Sequence, residues 1–237
     1  KPLIGKDTTI ITCMNGIPHW YFHKLDNKYA NYKIKCLDPN LLIDTILPPD
    51  NIVGSVVYPA CEILKPGTIR HIAGNRFSLG EPEGSESDRL KFISDILKKA
   101  GFRAPIQKNI RDEIWLKLIG NLSFNPISAL TGATLEQICN DQGTEAIVRA
   151  MMTEAKIIAE ELGAKINMSI EKRIDGARKV GAHKTSMLQD IEAGKPIEID
   201  SIIIAVKELG ELTCSPTPYI NTILNLTLQK AKLIGCL

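Results

Sequence analysis

Lys117, Asn121 and Asn125 recur at steps of four residues inside IWLKLIGNLSFNPISAL, one of the most apolar stretches of the chain. Each step of four drifts by about 40° around a helix, so the three side chains are expected to line one narrow helical stripe. An ammonium and two carboxamides buried against Leu and Ile cost several kcal/mol unless they find partners. A polar ligand could supply those partners. A satisfied interior network, or contacts to backbone carbonyls, is the other reading, and spacing alone leaves both open.

A second polar group lies late in the chain, in KTSMLQDIEAGKPIEID, where Ser186, Gln189, Asp190, Glu198 and Asp200 surround Gly194-Lys195-Pro196. Glu198 stands between Ile197 and Ile199. It reads either as a functional carboxylate or as an acid at a helix start that caps it or offsets its dipole. Ser186 taken alone reads as a surface serine. Of the 4 histidines only His19 and His23 stand four apart, with His71 and His183 far from them in the chain, so no metal site is expected from the histidines. There is no G-x-S-x-G elbow for a serine nucleophile. Neither G-x-G nor G-x-x-x-x-G-K-[ST] occurs, so the sequence lacks both common phosphate-cradling loops.

These residues must be positioned by two kinds of structure. The first hundred residues mix β-rich runs with turns: TTIITCMNG at 8–16, NIVGSVVYPA at 51–60, and TIRHIAG and RFSLGEP on either side of Asn75. From Ser85, SESDRLKFISDILKKAG has the start and stop signals of one helix, with Ser85 as its N-cap. Beyond Ile110 the pattern is helical over 110–125, 134–163 with a break at Asp141-Gln142-Gly143, 169–194, 199–212 and 217–234. Pro126 is expected to stop the polar-stripe helix right after Asn125. The composition shift places a domain boundary near residue 108, giving 1–107 and 108–237.

With 237 residues, 44% of them hydrophobic, the chain has the material for one large domain or two small ones. A net charge of +2 from intermixed acids and bases gives no basic arm for nucleic acid, and the patch from Lys24 to Lys35 reads as solvated surface. The 6 cysteines show no C-x-x-C spacing and read as reduced thiols of a cytoplasmic protein. No 18-residue apolar run or signal peptide is apparent.

Asn15-Gly16, IRDEIWLKLIGNLSFNPISAL and TSMLQDIEAGKPIEID, in this order and at this separation, resemble the 2-dehydropantoate 2-reductases (ketopantoate reductases) from about residue 8 to residue 232. The resemblance implies an α/β plus all-α protein: the remaining part of a Rossmann-like NADP-binding domain, then a helical substrate-binding and dimerisation domain, with the active site in the cleft between them. It implies NADPH-dependent reduction of a 2-oxo acid by a cytoplasmic homodimer, with no nucleic-acid or membrane partner. Lys117 matches the lysine that protonates the ketone oxygen, and partial burial would bring its pKa toward neutrality. Asn121, Asn125 and Ser186 match substrate-binding positions, and Glu198 matches an acid near both substrate and cofactor. Asn15 and Ala60 match positions bordering the nicotinamide. The family's first βαβ unit and glycine-rich turn are not found, so the chain is expected to be an N-terminally truncated member that binds NADPH weakly.

Two features depart from the family pattern. Leu135 stands where some members have a further substrate asparagine, which leaves a related 2-oxo acid open as substrate. The segment between Asn15 and Gly54 is long and holds Trp20, Tyr21, Phe22, Tyr29 and Tyr32. It reads either as an inserted, packed hairpin or as a lid or subunit contact. A non-catalytic helical interaction module is the rival reading of the whole chain.

Overall fold

A computed structural model describes residues 3–237. The chain forms two compact units, Lys1–Ile114 and Trp115–Leu237. The boundary falls inside one helix.

The first unit is built on a sheet of three strands. Strand β1 (Ile10–Cys13) runs parallel to β2 (Ile52–Val57), which pairs antiparallel with β5 (Phe77–Gly80). The β2 and β5 strands are apolar and largely buried, as strands covered on both faces should be. On one face Val53 and Leu79 pack with Leu90 and Ala104, joined by Ile93 and Leu97 of the helix Asp88–Lys99. On the other, Gly54 lies flat beneath Trp20 and Ile110: a Cβ there would stand 2.7 Å from the indole ring. A separate hairpin, β3 (Ala60–Lys65) with β4 (Thr68–Ala73), turns at Pro66-Gly67, and Gly67 has φ 79°, the conformation that a type II turn requires of its third residue.

The segment expected as an inserted hairpin contains no strand. It is a chain of turns ending in the short helix α1 (Ile43–Ile46) and a 3₁₀ turn at Pro49–Asn51. Its aromatic residues form a packed knot instead: Tyr21 meets Phe22 edge-on at 4.9 Å, and Phe22 meets Tyr32 at 5.3 Å. Buried Arg111 fixes this knot by donating to the carbonyls of Tyr21 (2.7 Å), His23 (2.8 Å) and Pro82 (2.5 Å). Those carbonyls have no ladder to pair with, which is why a cation can be buried here without a carboxylate.

The twelve-residue helix of the first unit, α2 (Asp88–Lys99), is capped by Ser87 rather than Ser85, its hydroxyl accepting from the Leu90 amide at 3.2 Å. The reason lies in Glu81, whose buried carboxylate takes the Ser87 hydroxyl and the Arg89 guanidinium and so fixes the turn two residues later.

Helix α3 (Ile110–Thr131) begins in the first unit and continues through the second, where it is followed by α4 (Leu135–Asn140), α5 (Gln142–Glu161), α6 (Ile170–Val180), α7 (Ser186–Glu192), α8 (Ala205–Leu212) and α9 (Pro218–Ile234). Pro126 does not end α3. It sits inside the helix, where it removes one amide donor, while burial of every residue from 122 to 129 holds the helical path past it. The stretch 169–194 is two helices rather than one: α6 stops at Gly181, with φ 81°, and α7 restarts on the Thr185 cap. A π-helical turn, Asp200–Ile204, leads into α8.

At the start of α9, Thr217 supplies no side-chain cap. Glu154 of α5 does so from outside the helix, accepting from the amides of Tyr219 and Ile220 at 2.9 Å each. Glu154→Ala would leave both donors without a partner in a largely buried setting, and is expected to lower stability by about 2–4 kcal/mol; Glu154→Gln, which keeps one acceptor oxygen, is expected to lose about half of that. Urea unfolding measures both, and a change below about 0.5 kcal/mol in Glu154→Ala would show that α9 does not depend on this cap.

Candidate functional site

The polar stripe lies on α3 among buried neighbours: Trp115, Leu118, Ile119 and Leu122 are all at most 6% exposed. Lys117 and Asn121 are half-buried and Asn125 is buried. Burial pushes the Lys117 ammonium below the usual lysine range, Glu198 acts against that shift, and the positive charge of Arg173 adds to it. The helix therefore carries a half-buried lysine on which a carboxylate and a second cation act in opposite directions.

Glu198 reaches this region through an irregular segment. After α7 the chain turns at Gly194, with φ 64°, and the Ile197 amide donates to the carbonyl of Cys236 at 3.0 Å. The Ile199 amide then turns back to the Ile197 carbonyl at 3.0 Å. This tight bend buries Ile197 and Ile199 and leaves Glu198 exposed between them. The π-helical turn that follows has Ile199 as its N-cap, which makes no side-chain cap hydrogen bond. Asp190 of α7 is close enough to feel the Glu198 charge, which adds to burial in raising its own pKa.

Ser186, the first residue of α7, is exposed and lies at the other end of the stripe, where the Asn125 amide nitrogen points to its hydroxyl at 3.5 Å. Thus α3, α6, α7 and the bend at Glu198 bring Lys117, Arg173, Asn125, Ser186 and Glu198 into linked pairs within the second unit. Arg173 has no counterpart in the sequence reading. Its signal was Gly120, a helix-interior glycine that the apolar pattern of α3 does not call for.

Asn15 and Ala60 belong to the first unit. Parallel β1 and β2 are in register from Ile10 opposite Ile52 to Cys13 opposite Ser55, so both strands end at one edge, with Asn15 two residues beyond β1 and Ala60 three beyond β2. The carboxyl edge of parallel strands is where open α/β sheets bind nucleotides. At this edge Gly16 has φ 79°, and the buried Ser55 hydroxyl has no hydrogen-bond partner among the described residues. Such an edge fits the nicotinamide end of a dinucleotide. Among the described residues no cluster of His, Cys, Asp or Glu could hold a metal ion, and no helix is long and apolar enough to cross a membrane.

Because Glu198 favours the charged form of Lys117, Glu198→Gln is expected to lower the Lys117 pKa further. NMR titration of the Lys117 side chain, assigned by comparison with a Lys117 variant, measures this directly. An unchanged midpoint would place Glu198 outside electrostatic reach of the ammonium.

Comparison with known proteins gives consistent results. Residues 109–231 match the family described as "Ketopantoate reductase PanE/ApbA C terminal". The chain is 49% identical over 235 residues to a 2-dehydropantoate 2-reductase of Mesorhizobium japonicum, an alignment covering 99% of this chain and 72% of that relative. Among solved structures, a ketopantoate reductase of Ralstonia solanacearum MolK2, described as putative, superimposes with a TM-score of 0.95 at 39% identity, covering 100% of this chain and 72% of that one. D-mandelate dehydrogenase in complex with NADH shares the fold, with a TM-score of 0.81 at 20% identity over 98% of this chain and 73% of that one. The profile match across α3 to α9, together with near-complete alignment to the Mesorhizobium relative, shows that the chain belongs to the ketopantoate reductase family.

Proposed function

We propose that this chain reduces the ketone of a small 2-oxo acid, 2-dehydropantoate or a close analogue, to the 2-hydroxy acid with NADPH, as a step toward pantothenate and coenzyme A. The observation that carries the reading is the Lys117 ammonium: half-buried, lowered by its surroundings, and linked to Glu198 while sharing a helix with Asn121 and Asn125. A purely structural module has no need to hold a destabilised cation beside a carboxylate.

When bound, the reduced nicotinamide supplies hydride to the carbonyl carbon. Lys117 gives its proton to the carbonyl oxygen and stabilises the alkoxide charge that develops there. Its lowered proton affinity suits this task, because a weaker hold on the proton brings the acid closer to working pH. Asn121, Asn125 and Ser186 bind the substrate carboxylate and hydroxyl oxygens. Glu198 keeps Lys117 in its charged form between turnovers and accepts a hydrogen bond from a substrate hydroxyl or the cofactor. Asn15 and Ala60 border the nicotinamide.

Leu135, the first residue of α4, favours keeping a related 2-oxo acid as the second reading of the substrate. The proposed assembly is a homodimer, supported by a groove of about 480 Å³ between α3, α5 and α9 and by Leu226, Leu233 and Ile234 exposed on α9.

In the complete natural protein, Lys117→Ala is expected to lower kcat by about 10² to 10⁴, the range for a positioned general acid. Asn121→Ala should act more on KM, since an amide holding the substrate contributes to ground and transition states alike. The acid form of Lys117 is required, so activity is expected below its folded pKa and lost as pH rises through it, earlier than for an ordinary lysine. Steady-state assays with ketopantoate and other 2-oxo acids, using NADPH and NADH in parallel, test the substrate, the cofactor and the acid together. Near-normal kcat in Lys117→Ala on the best substrate would remove Lys117 from the mechanism.

A further inference from the structure

A glycine in a helix interior costs about 1 kcal/mol relative to alanine. Helix α3 nevertheless carries Gly120 in its buried middle, three residues after Lys117 and one before Asn121. What occupies the missing side chain's place is the guanidinium of Arg173 from α6. A Cβ at position 120 would stand 2.7 Å from both Cζ and Nε of Arg173, and closer still to Nη2. All three of the nearest atoms to that position belong to this one side chain.

Residues three apart on a helix are neighbours on its surface. A guanidinium seated over Gly120 is therefore seated beside Lys117. The same side chain lines a small recess with Leu116, Ile119 and Lys156, on the flank of α3 that adjoins the stripe. We propose that Arg173 is a positioning residue for the reducing step: admitted by the bare backbone at Gly120, it holds a second positive charge beside the Lys117 ammonium and drives that ammonium's proton toward the carbonyl oxygen of a bound 2-oxo acid. This rests on the reductase reading only for its effect on rate, not for the effect on Lys117 itself.

The physical logic is like-charge repulsion. Two cations in a half-buried setting destabilise each other's charged form, and only Lys117 can relieve this by losing a proton, since arginine stays protonated. The groups acting on Lys117 are Glu198, which favours its charge, and Arg173, which opposes it. Asp190 in turn feels the charge of Glu198, and Lys156 of α5 lies beside Arg173 and pairs with Glu160 at 3.6 Å. Arg173 thus offsets part of the effect of Glu198 and keeps the lysine a stronger acid than the carboxylate alone would leave it.

Three single variants and one double variant test the proposal by two readouts. Arg173→Gln removes the charge and keeps the bulk, Arg173→Lys keeps the charge, and Gly120→Ala displaces the flexible guanidinium while conserving its chemistry. NMR titration of the Lys117 side chain in the ligand-free protein is expected to show its midpoint rising by about 0.5 to 1 pH unit in both Arg173→Gln and Gly120→Ala, with Arg173→Lys close to the parent. The double variant Gly120→Ala/Arg173→Gln should show no further rise, because both changes remove one interaction.

In the reductase assay the alkaline limb of the pH profile should move upward by the same amount in the same variants, and kcat at neutral pH should fall about threefold to tenfold, since a weaker acid transfers its proton more slowly. A merely structural role lowers activity without moving either midpoint. Unchanged titration of Lys117 in Arg173→Gln overturns the proposal whatever the activity. A shifted titration with no reductase activity in the complete natural protein leaves the electrostatic coupling in place and refutes the reductase reading alone.

Discussion

Keeping an ammonium charged within an apolar helix is the constraint around which the second unit is arranged. Lys117 cannot be surrounded by leucine and isoleucine alone without losing its proton, nor fully neutralised by a carboxylate without becoming an inert ion pair. The fold holds it between those limits. Glu198 is brought up on a bend that buries its two neighbouring isoleucines and leaves its own carboxylate in water, where its attraction is screened. Arg173 is let in by a glycine that the helix would otherwise exclude on propensity.

The rest of the molecule uses one recurring device to fix the irregular segments: a buried or half-buried polar side chain satisfies backbone groups that no ladder or helix can pair. Arg111 does so for the carbonyls of the aromatic knot, Glu154 for the first amides of α9, and Lys230 for the last carbonyls of α3, where it donates to Ala129 at 2.5 Å and Leu130 at 3.1 Å. Each replaces several water contacts with one rigid anchor. The proposed proton transfer needs that rigidity, because a proton donor misplaced by about an ångström loses much of its rate advantage.

The helical periodicity beyond residue 110 was legible, and so was the common stripe of Lys117, Asn121 and Asn125, because both are local patterns set by the helical repeat. The helix ends were less so. Pro126 reads as a stop by its missing amide, yet tertiary burial of its neighbours overrides that local cost. Ser85 and Ser87 are equivalent in propensity, and the choice between them is made by Glu81, a residue outside the helix. Strand β3 escapes a reading by alternation because Glu62 and Lys65 break its apolar pattern, although Pro66-Gly67 announces the turn. The aromatic segment after Asn15 has the composition of a packed element but no periodicity, and nothing local to it signals that Arg111, some ninety residues on, organises it. Arg173 is signalled only indirectly, by Gly120 on another helix, and nothing local to Arg173 says that its guanidinium seats there.

The charges of the site also bear on the direction of events during turnover. Lys117, Arg173 and Glu198 together carry one net positive charge, which a monoanionic 2-oxo acid neutralises on binding. In the proposed reaction Lys117 would become neutral as the oxidised nicotinamide took up a positive charge, so the net charge facing the product's carboxylate would stay the same. As the proposed acid, Lys117 would have to regain a proton from solvent before the next turnover, so a proton affinity lowered to aid transfer must not fall so far that this recharging becomes slow. A carboxylate beside the lysine guards that lower bound and a guanidinium sets the upper one, which gives a physical reason for finding both around a single ammonium.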